Sequence, residues 1–382
     1  MEIKKYEIGI TNLGNTCFIN SALQCLFKIR RMTMYFKSGS FKDSEEWDEK
    51  PEHLKTMCEE WEDLSEIYSQ EREGPSHITP GRFYSNFRDA AVEESMDWLI
   101  HGQNDSHEFM MFFLDVLHKG VSKKITDVET FPFLKSSGKP SSKTFVGEYS
   151  GDVLRTELDI LSNANWCTHF EKEYHTLLTP LFHGQFMTII QSKKTKEKSF
   201  TFEPFSSINL AVANVKKTSI SIYDCLGKYF TTENMINDDQ WSSPKAGHKV
   251  DAQRATRIWR LPETLILSLK RFTMMGEKID TAISFPLKDL DMGKYVVGPR
   301  LDKKFNTYDL TGIILHYGIL GGGHYIAIVR NPGGKTWQVC DDSRTKTIPE
   351  SKVDTCSSSV YALVYQRRDI VEKDDELELA SK

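Results

Sequence analysis

Paired cysteines are missing from this chain of 382 residues. Its seven cysteines, Cys17, Cys25, Cys58, Cys167, Cys225, Cys340 and Cys356, are odd in number, widely spread and contain no C-x-x-C pair. That argues against a disulfide framework and for a reducing compartment. Long apolar runs are missing as well. The longest candidates, such as Leu265-Ile266-Leu267-Ser268-Leu269, fall far short of the roughly 18 residues that cross a bilayer, so no membrane segment is expected. The stretch from Met1 to Glu7 has no apolar core, and a secretory leader is not expected. Basic charge is not in excess, the formal net charge being −5, which speaks against nucleic acid as a partner. No internal repeat is visible. What remains is a cytosolic or nuclear globular protein. With 39% hydrophobic and 27% charged residues, it has enough apolar material for one large domain or a few subdomains. The mild acidic excess favours a partner with a basic surface.

What is present is concentrated first at Gly9-Ile10-Thr11-Asn12-Leu13-Gly14-Asn15-Thr16-Cys17-Phe18-Ile19-Asn20. A polar, glycine-containing turn here leads into an apolar-periodic segment headed by Cys17. A thiol at a helix N-terminus meets unpaired backbone N–H groups and the positive end of the helix dipole, which lower its pKa. The thiolate is a nucleophile for covalent catalysis. Asn12, five residues earlier, supplies an amide donor for a developing oxyanion.

The first 120 residues lean helical, with apolar spacing that predicts helices over 17–29, 59–68 and 105–117 and another starting at Thr79-Pro80. Residues 121–165 carry a loop by composition around Ser136-Ser137-Gly138-Lys139-Pro140-Ser141-Ser142, which reads as a surface insertion. From 180 onward the pattern turns to strands, among them 186–191, 199–202, 264–269, 310–315, 324–330, 336–339 and 360–365. The last segment, 368–382, is charged and poor in aromatics and is expected to be a frayed tail.

A second chemical group stands at Gly321-Gly322-Gly323-His324-Tyr325, just ahead of a strand. The turn Asn331-Pro332-Gly333-Gly334 sends that strand back into a second one reaching Asp341-Asp342. If Arg330 faces Lys335, His324 lies opposite Asp341. Cross-strand partners have Cβ atoms about 5 Å apart, so Asp341 would fix the tautomer of His324, with Asp342 as the competitor if the register slips. A helix-head cysteine with a hairpin-paired His–Asp is the constellation of a cysteine protease.

With these residues in view, the chain resembles the ubiquitin-specific proteases, papain-like cysteine deubiquitinases, over about residues 8–367. The Cys box 9–21, the segment Gln103-Asn104-Asp105-Ser106-His107-Glu108-Phe109, the stretch from Leu261-Pro262 through Leu269-Lys270-Arg271-Phe272 to Phe285-Pro286, and Gly323-His324-Tyr325 with Trp337 and Asp341-Asp342 all follow the family pattern in order. The resemblance implies a single α+β domain of papain-like fold. A helical thumb would span about 8–165 and a β-rich palm and fingers about 166–367, with fingers at about 185–255. It implies Cys17 as nucleophile, His324 as general base, Asp341 as orienter and Asn12 in the oxyanion hole, with Asp342 assisting. Asp105 and Glu108 would hold the arginine-bearing tail of ubiquitin, Gln103 would belong to the same substrate-binding set, and Tyr325 would line the channel for the terminal Gly-Gly. The implied partners are ubiquitin and ubiquitinated proteins, and some members also need an activating scaffold protein.

The chain departs from the family at two places. Many members hold a structural zinc with two C-x-x-C pairs at the fingertips. The corresponding stretches here, Gln191-Ser192-Lys193-Lys194 and Trp241-Ser242-Ser243-Pro244-Lys245, contain no cysteine. Zinc needs about four nitrogen or sulfur ligands, so neither a metal nor any other cofactor is expected. Cys340 stands where a phenylalanine is common, and looser packing behind the triad is expected. Two other functions use the same residues: a ubiquitin-binding module without activity, and a protease for another ubiquitin-like modifier.

Overall fold

The computed structural model describes residues 3–5, 7–73, 76–123, 142–145, 152–171, 176–195, 197–212, 217–299 and 302–380. The glycine- and serine-rich stretch at 136–141 lies outside them. The helices are α1 (Cys17–Phe27), α2 (Arg30–Lys37), α3 (Glu52–Ser69), α4 (Gly81–Glu93), α5 (Ser106–Val121), α6 (Asp152–Trp166), α7 (Leu178–Phe182), α8 (Ile222–Tyr229) and α9 (Arg368–Ala380). The principal strands are β1 (Ser142–Phe145), β2 (Gly184–Ser192), β3 (Lys198–Phe205), β4 (Ile208–Ala211), β5 (Glu233–Met235), β6 (Ala252–Arg260), β7 (Thr264–Lys270), β8 (Thr307–Ile319), β9 (Gly322–Arg330), β10 (Thr336–Asp341), β11 (Arg344–Pro349) and β12 (Val360–Arg367).

A central sheet in the order β11-β10-β9-β8-β12-β7-β4 forms the middle layer. Successive side chains of a strand point to opposite faces, and here both faces are covered. Ile314 of β8 and Ala327 and Val329 of β9 join the core shared with α1, α3, α4 and α5. Their neighbours Ile313, Leu315 and Ile328 belong to a second core with α8. This two-sided burial explains why β7 is a near-continuous apolar run rather than an alternating one. The helical core is aromatic: Phe27 stacks on Trp61 at 4.7 Å and on Tyr68 at 4.2 Å between ring centroids. These contacts fix α1 against α3, and α1 packs directly on β9.

A second sheet, in the order β5-β6-β2-β3-β1, extends away from the first. Helix α6 falls within the 8–165 stretch where a helical subdomain is expected, yet Leu158 and Leu161 pack on Phe200, Phe202 and Trp259 of this sheet. At its tip, where a zinc would sit in many members of the resembling family, the Glu197 carboxylate is fully enclosed. It accepts hydrogen bonds from Thr195 Oγ1 (2.8 Å), from the Lys245 backbone N–H (2.9 Å) and from the Ser243 hydroxyl. One side chain therefore ties Thr195 to the loop at Ser243 and Lys245. Cys225 is buried in α8.

The expected frayed tail is instead ordered, because α9 returns to the sheet. Val371 is buried, and Asp375 accepts a two-pronged hydrogen bond from Arg330 at 3.0 and 2.6 Å. No helix among the described residues is long and apolar enough to cross a membrane.

Candidate active site

The turn before α1 is built by its own side chains. Asn12 Oδ1 accepts from the Thr16 N–H (3.1 Å), Thr16 Oγ1 accepts from the Leu13 N–H (2.9 Å), and Gly14 takes φ +120°. Helix α1 then starts at Cys17, as its position behind the turn predicts. The thiol is buried and lies against the backbone N–H groups of Tyr325, Phe18 and Cys17 itself. The expectation of a lowered pKa is corrected, however. Burial raises the Cys17 thiol pKa, and the nearby Asp342 carboxylate raises it further, which together outweigh the stabilising N–H groups. The helix end alone does not make a thiolate here, and an adjacent base must take the proton.

The candidate base, His324, stands on β9. His324 Nε2 lies 2.6 Å from Asp341 Oδ1, and Asp342 Oδ2 is more distant at 4.0 Å. The pairing is diagonal rather than directly opposite. The ladder sets Arg330 against Trp337 and Ala327 against Cys340, two residues away from the register inferred from the turn. Diagonal neighbours remain within reach of long side chains, so the same two groups still meet. With Nε2 on the carboxylate, Nδ1 is left to accept a proton. Cys17 and His324 are not hydrogen-bonded partners among the described residues. Such contacts often tighten only when substrate binds.

Asp342 is the hub of a network reaching into the helical layer. Its carboxylate accepts from Asn12 Nδ2 (2.9 Å) and Asn20 Nδ2 (2.7 Å), and its backbone oxygen accepts from the Ile10 N–H (2.9 Å). It adopts φ +51°, a left-handed conformation that aspartate tolerates better than most residues. The Asn20 amide oxygen accepts from the Tyr84 hydroxyl. Asn20 and Tyr84 were not singled out from the sequence. The available signal was a polar residue in an apolar run, three positions after Cys17 and therefore on nearly the same helix face. Gly9 completes the fit, since a Cβ there would lie 2.3 Å from the Ser343 carbonyl oxygen.

The four residues expected at the ubiquitin tail have different surroundings. Glu108 is exposed, its carboxyl pKa raised by partial burial and by Asp105, and it is available to a cationic ligand. Asp105 is occupied: it caps α5 by accepting from the His107 (2.7 Å) and Glu108 (3.3 Å) N–H groups, and it takes the Tyr361 hydroxyl on its other oxygen. The Tyr325 ring is buried between His316 (4.6 Å) and Tyr361 (5.5 Å), so its backbone N–H is what it presents to Cys17. Gln103 accepts from the backbone N–H of Gly323, the residue before His324, and so anchors the glycine loop to the helical layer.

Replacing Gln103 by leucine is expected to lower kcat roughly 10-fold by letting the imidazole drift, with Gln103→Glu, which still accepts a hydrogen bond, recovering most of the rate. A steady-state comparison of the two variants checks this. Cys340 is buried in the same core as Cys25 and Ala327, and burial drives its thiol pKa to about 12. Among the described residues, the one group of three metal-capable side chains is His324, Asp341 and Asp342; His324 and Asp341 are bonded to each other, and Asp342 is held by Asn12 and Asn20.

Comparison with known proteins agrees with this geometry. The family model described as ubiquitin carboxyl-terminal hydrolase matches residues 8–365. The chain is 25% identical to ubiquitin carboxyl-terminal hydrolase 4 of Saccharomyces cerevisiae, covering 95% of this chain and 39% of that protein. It is 29% identical to the probable ubiquitin carboxyl-terminal hydrolase 4 of Schizosaccharomyces pombe, over 96% and 59% of the two chains. With human ubiquitin carboxyl-terminal hydrolase 2 the identity is 27%, over 94% and 54%. The chain thus spans between 39% and 59% of the length of these relatives. Among solved structures, the Ubp8/Sgf11/Sus1/Sgf73 module bound to ubiquitin aldehyde shares the fold with a TM-score of 0.63 at 20% identity, covering 96% of this chain and 72% of that one.

Proposed function

Because the chain belongs to the ubiquitin carboxyl-terminal hydrolase family, we propose that it is a deubiquitinating cysteine protease that hydrolyses the bond after the C-terminal glycine of ubiquitin. What supports this is a helix-head thiol that meets the backbone N–H of Tyr325, the residue after His324, together with the pairing of His324 and Asp341. His324 takes the Cys17 proton, and the thiolate adds to the terminal glycine carbonyl. The oxyanion is held by the helix-end N–H groups and Asn12. Collapse of the intermediate expels the amine, which takes its proton from His324. Water, deprotonated by His324, then cleaves the thioester and returns Cys17 as a thiol while ubiquitin leaves as a carboxylate. Asp341 stabilises the imidazolium in both halves of the cycle.

The exposed Glu108 is the proposed contact for the basic ubiquitin tail, and the five-stranded sheet is the proposed grip on the body of ubiquitin. A reducing compartment, cytosol or nucleus, suits a reaction that needs a free thiol. The deciding experiment is reaction with a ubiquitin whose C-terminus carries a thiol-reactive group. A covalent adduct of one ubiquitin on the wild type, absent in Cys17→Ala, is the expected result. Binding without an adduct would indicate an inactive binder, and neither would indicate a different modifier.

A further inference from the structure

The turn that presents Cys17 has a second face. Thr16 and Phe18, the residues on either side of the nucleophile, both line a cavity of about 430 Å³ between α1, α4 and the short turn Asp97–Ile100. Consecutive Cα atoms are about 3.8 Å apart, so the cavity begins one residue from the thiol. Its walls are pinned from behind. Asn12 and Thr16 brace the turn, the Tyr84 hydroxyl donates to Asn20, and Asn104 Nδ2 donates to the Leu99 (2.9 Å) and His101 (3.2 Å) carbonyls. The space between them is open. A Cβ on Gly14, Gly81 or Gly102, which all line it, would meet nothing within 4 Å.

The lining is mainly apolar, with Phe18, Ile19, Phe87 and Leu99, and its one charge is Arg88. No carboxylate lines it among the described residues. Arg88 is exposed and makes no hydrogen bond or ion pair among the described residues. Its neighbours three and four positions away on α4, Tyr84, Ser85, Ala91 and Val92, carry no charge. Leu13 on the cavity wall and Val92 on the Arg88 face are exposed apolar side chains, and clustered exposure of this kind marks an interaction surface. The charge also sets this cavity apart from the proposed tail contact. Asp105 and Glu108 suit a basic segment and neither lines the cavity, whereas Arg88 repels a basic segment and attracts an acidic one.

We propose that this cavity is a subsite for the protein on the other side of the scissile bond. It takes a bulky apolar side chain flanking the modified lysine, with a neighbouring carboxylate on Arg88, and so selects conjugates whose modified lysine lies in an acidic, apolar segment. Docking against the Thr16–Phe18 wall holds the leaving amine beside Cys17, and the binding energy is expressed in kcat/KM. This inference rests on the proposed activity at Cys17.

The test uses three dye-labelled peptides with ubiquitin on the lysine ε-amine: Asp-Phe-Lys-Phe-Asp, Arg-Phe-Lys-Phe-Arg and Asp-Ala-Lys-Ala-Asp. The wild type is expected to cleave the first with a kcat/KM at least fivefold above either other. Arg88→Glu should abolish the preference for aspartate over arginine. Gly81→Trp, at the first position of α4, should fill the cavity and abolish the preference for phenylalanine over alanine. Both variants should hydrolyse ubiquitin–aminomethylcoumarin, which has no peptide beyond the bond, within twofold of wild type. Equal rates on the three conjugates, a preference surviving in the variant meant to remove it, or loss of aminomethylcoumarin hydrolysis in Arg88→Glu would overturn the subsite. If no ubiquitin substrate is cleaved, the proposed activity fails, and fluorescence anisotropy of the free Asp-Phe-Lys-Phe-Asp peptide decides what the cavity takes. Saturable binding at least fivefold weaker in Arg88→Glu would support the acidic, apolar segment. No binding, binding unchanged in the variant, or equally tight binding of phenylpropanoate would overturn it.

Discussion

Asp341→Ala is expected to reduce kcat by roughly 10²- to 10⁴-fold while leaving the melting temperature close to that of the wild type. The carboxylate has one evident task, to hold His324 Nε2 at 2.6 Å. Both side chains are about 40% exposed, at 39% and 43%, and an exposed pair contributes at most about 1 kcal/mol to folding. The adjacent aspartate should behave in the opposite way. Asp342→Ala leaves the Asn12 amide without its carboxylate acceptor and takes the shorter of two acceptors from the Asn20 amide, which keeps the Ile10 carbonyl at 3.2 Å, and Asn20 is only 3% exposed. An orphaned buried polar group costs about 1–3 kcal/mol, so Asp342→Ala should lower the melting temperature as well as the rate. Thermal melts and steady-state kinetics on both variants separate the roles. A wild-type melt for Asp342→Ala, or an unchanged kcat for Asp341→Ala, would exchange the assignments.

Glu197→Ala should loosen the fingertip by about 2 kcal/mol, since it removes the one acceptor shared by Ser243, Thr195 and the Lys245 N–H. Hydrogen exchange would show faster amides at 192–197 and 243–246 with little change at α1. The same knot predicts a direction with pH. Burial of Glu197 opposes its charge, but the three hydrogen bonds win and hold its carboxyl below the ordinary glutamate value. A lowered folded-state pKa means that its stabilisation is fully present above the unfolded value near 4.5 and is lost as pH falls through the folded value. The tip should therefore open selectively in acid. It should also be indifferent to zinc chelators, since the link is a carboxylate. Loss of activity on chelation would contradict this.

The parts of the site that were legible in the sequence are those whose chemistry is local. Cys17 behind a polar turn, and His324 ahead of a strand returning to Asp341, are each specified by a few contiguous residues. The hairpin register was displaced because the loop is wider than its proline and glycines suggest: the Asn331 N–H bonds to the Thr336 carbonyl, and Asn331 Nδ2 to Thr336 Oγ1. The state of the Cys17 thiol was misjudged because burial and the charge of Asp342, 325 positions later, are not visible in a twelve-residue window. Helix α9 reads as a solvated tail because its docking rests on one apolar anchor, Val371, and on an ion pair to Arg330, 45 positions back. Asp105 and Gln103 fall in a motif associated with substrate, but in the fold much of their hydrogen bonding goes to holding α5 and the glycine loop.

The bond between Asn12 and Asp342 joins positions 330 apart in the chain, and the same seam brings Gly9 against Ser343. During synthesis, at about 5–20 residues per second, the nucleophile emerges from the ribosome roughly 15–65 s before the residues that lock its turn and supply its base. Until then Cys17 has neither the Asp342 carboxylate nor the His324 imidazole near it. On the proposed activity, a nascent chain therefore has its thiol but not its base until nearly the whole domain has been translated.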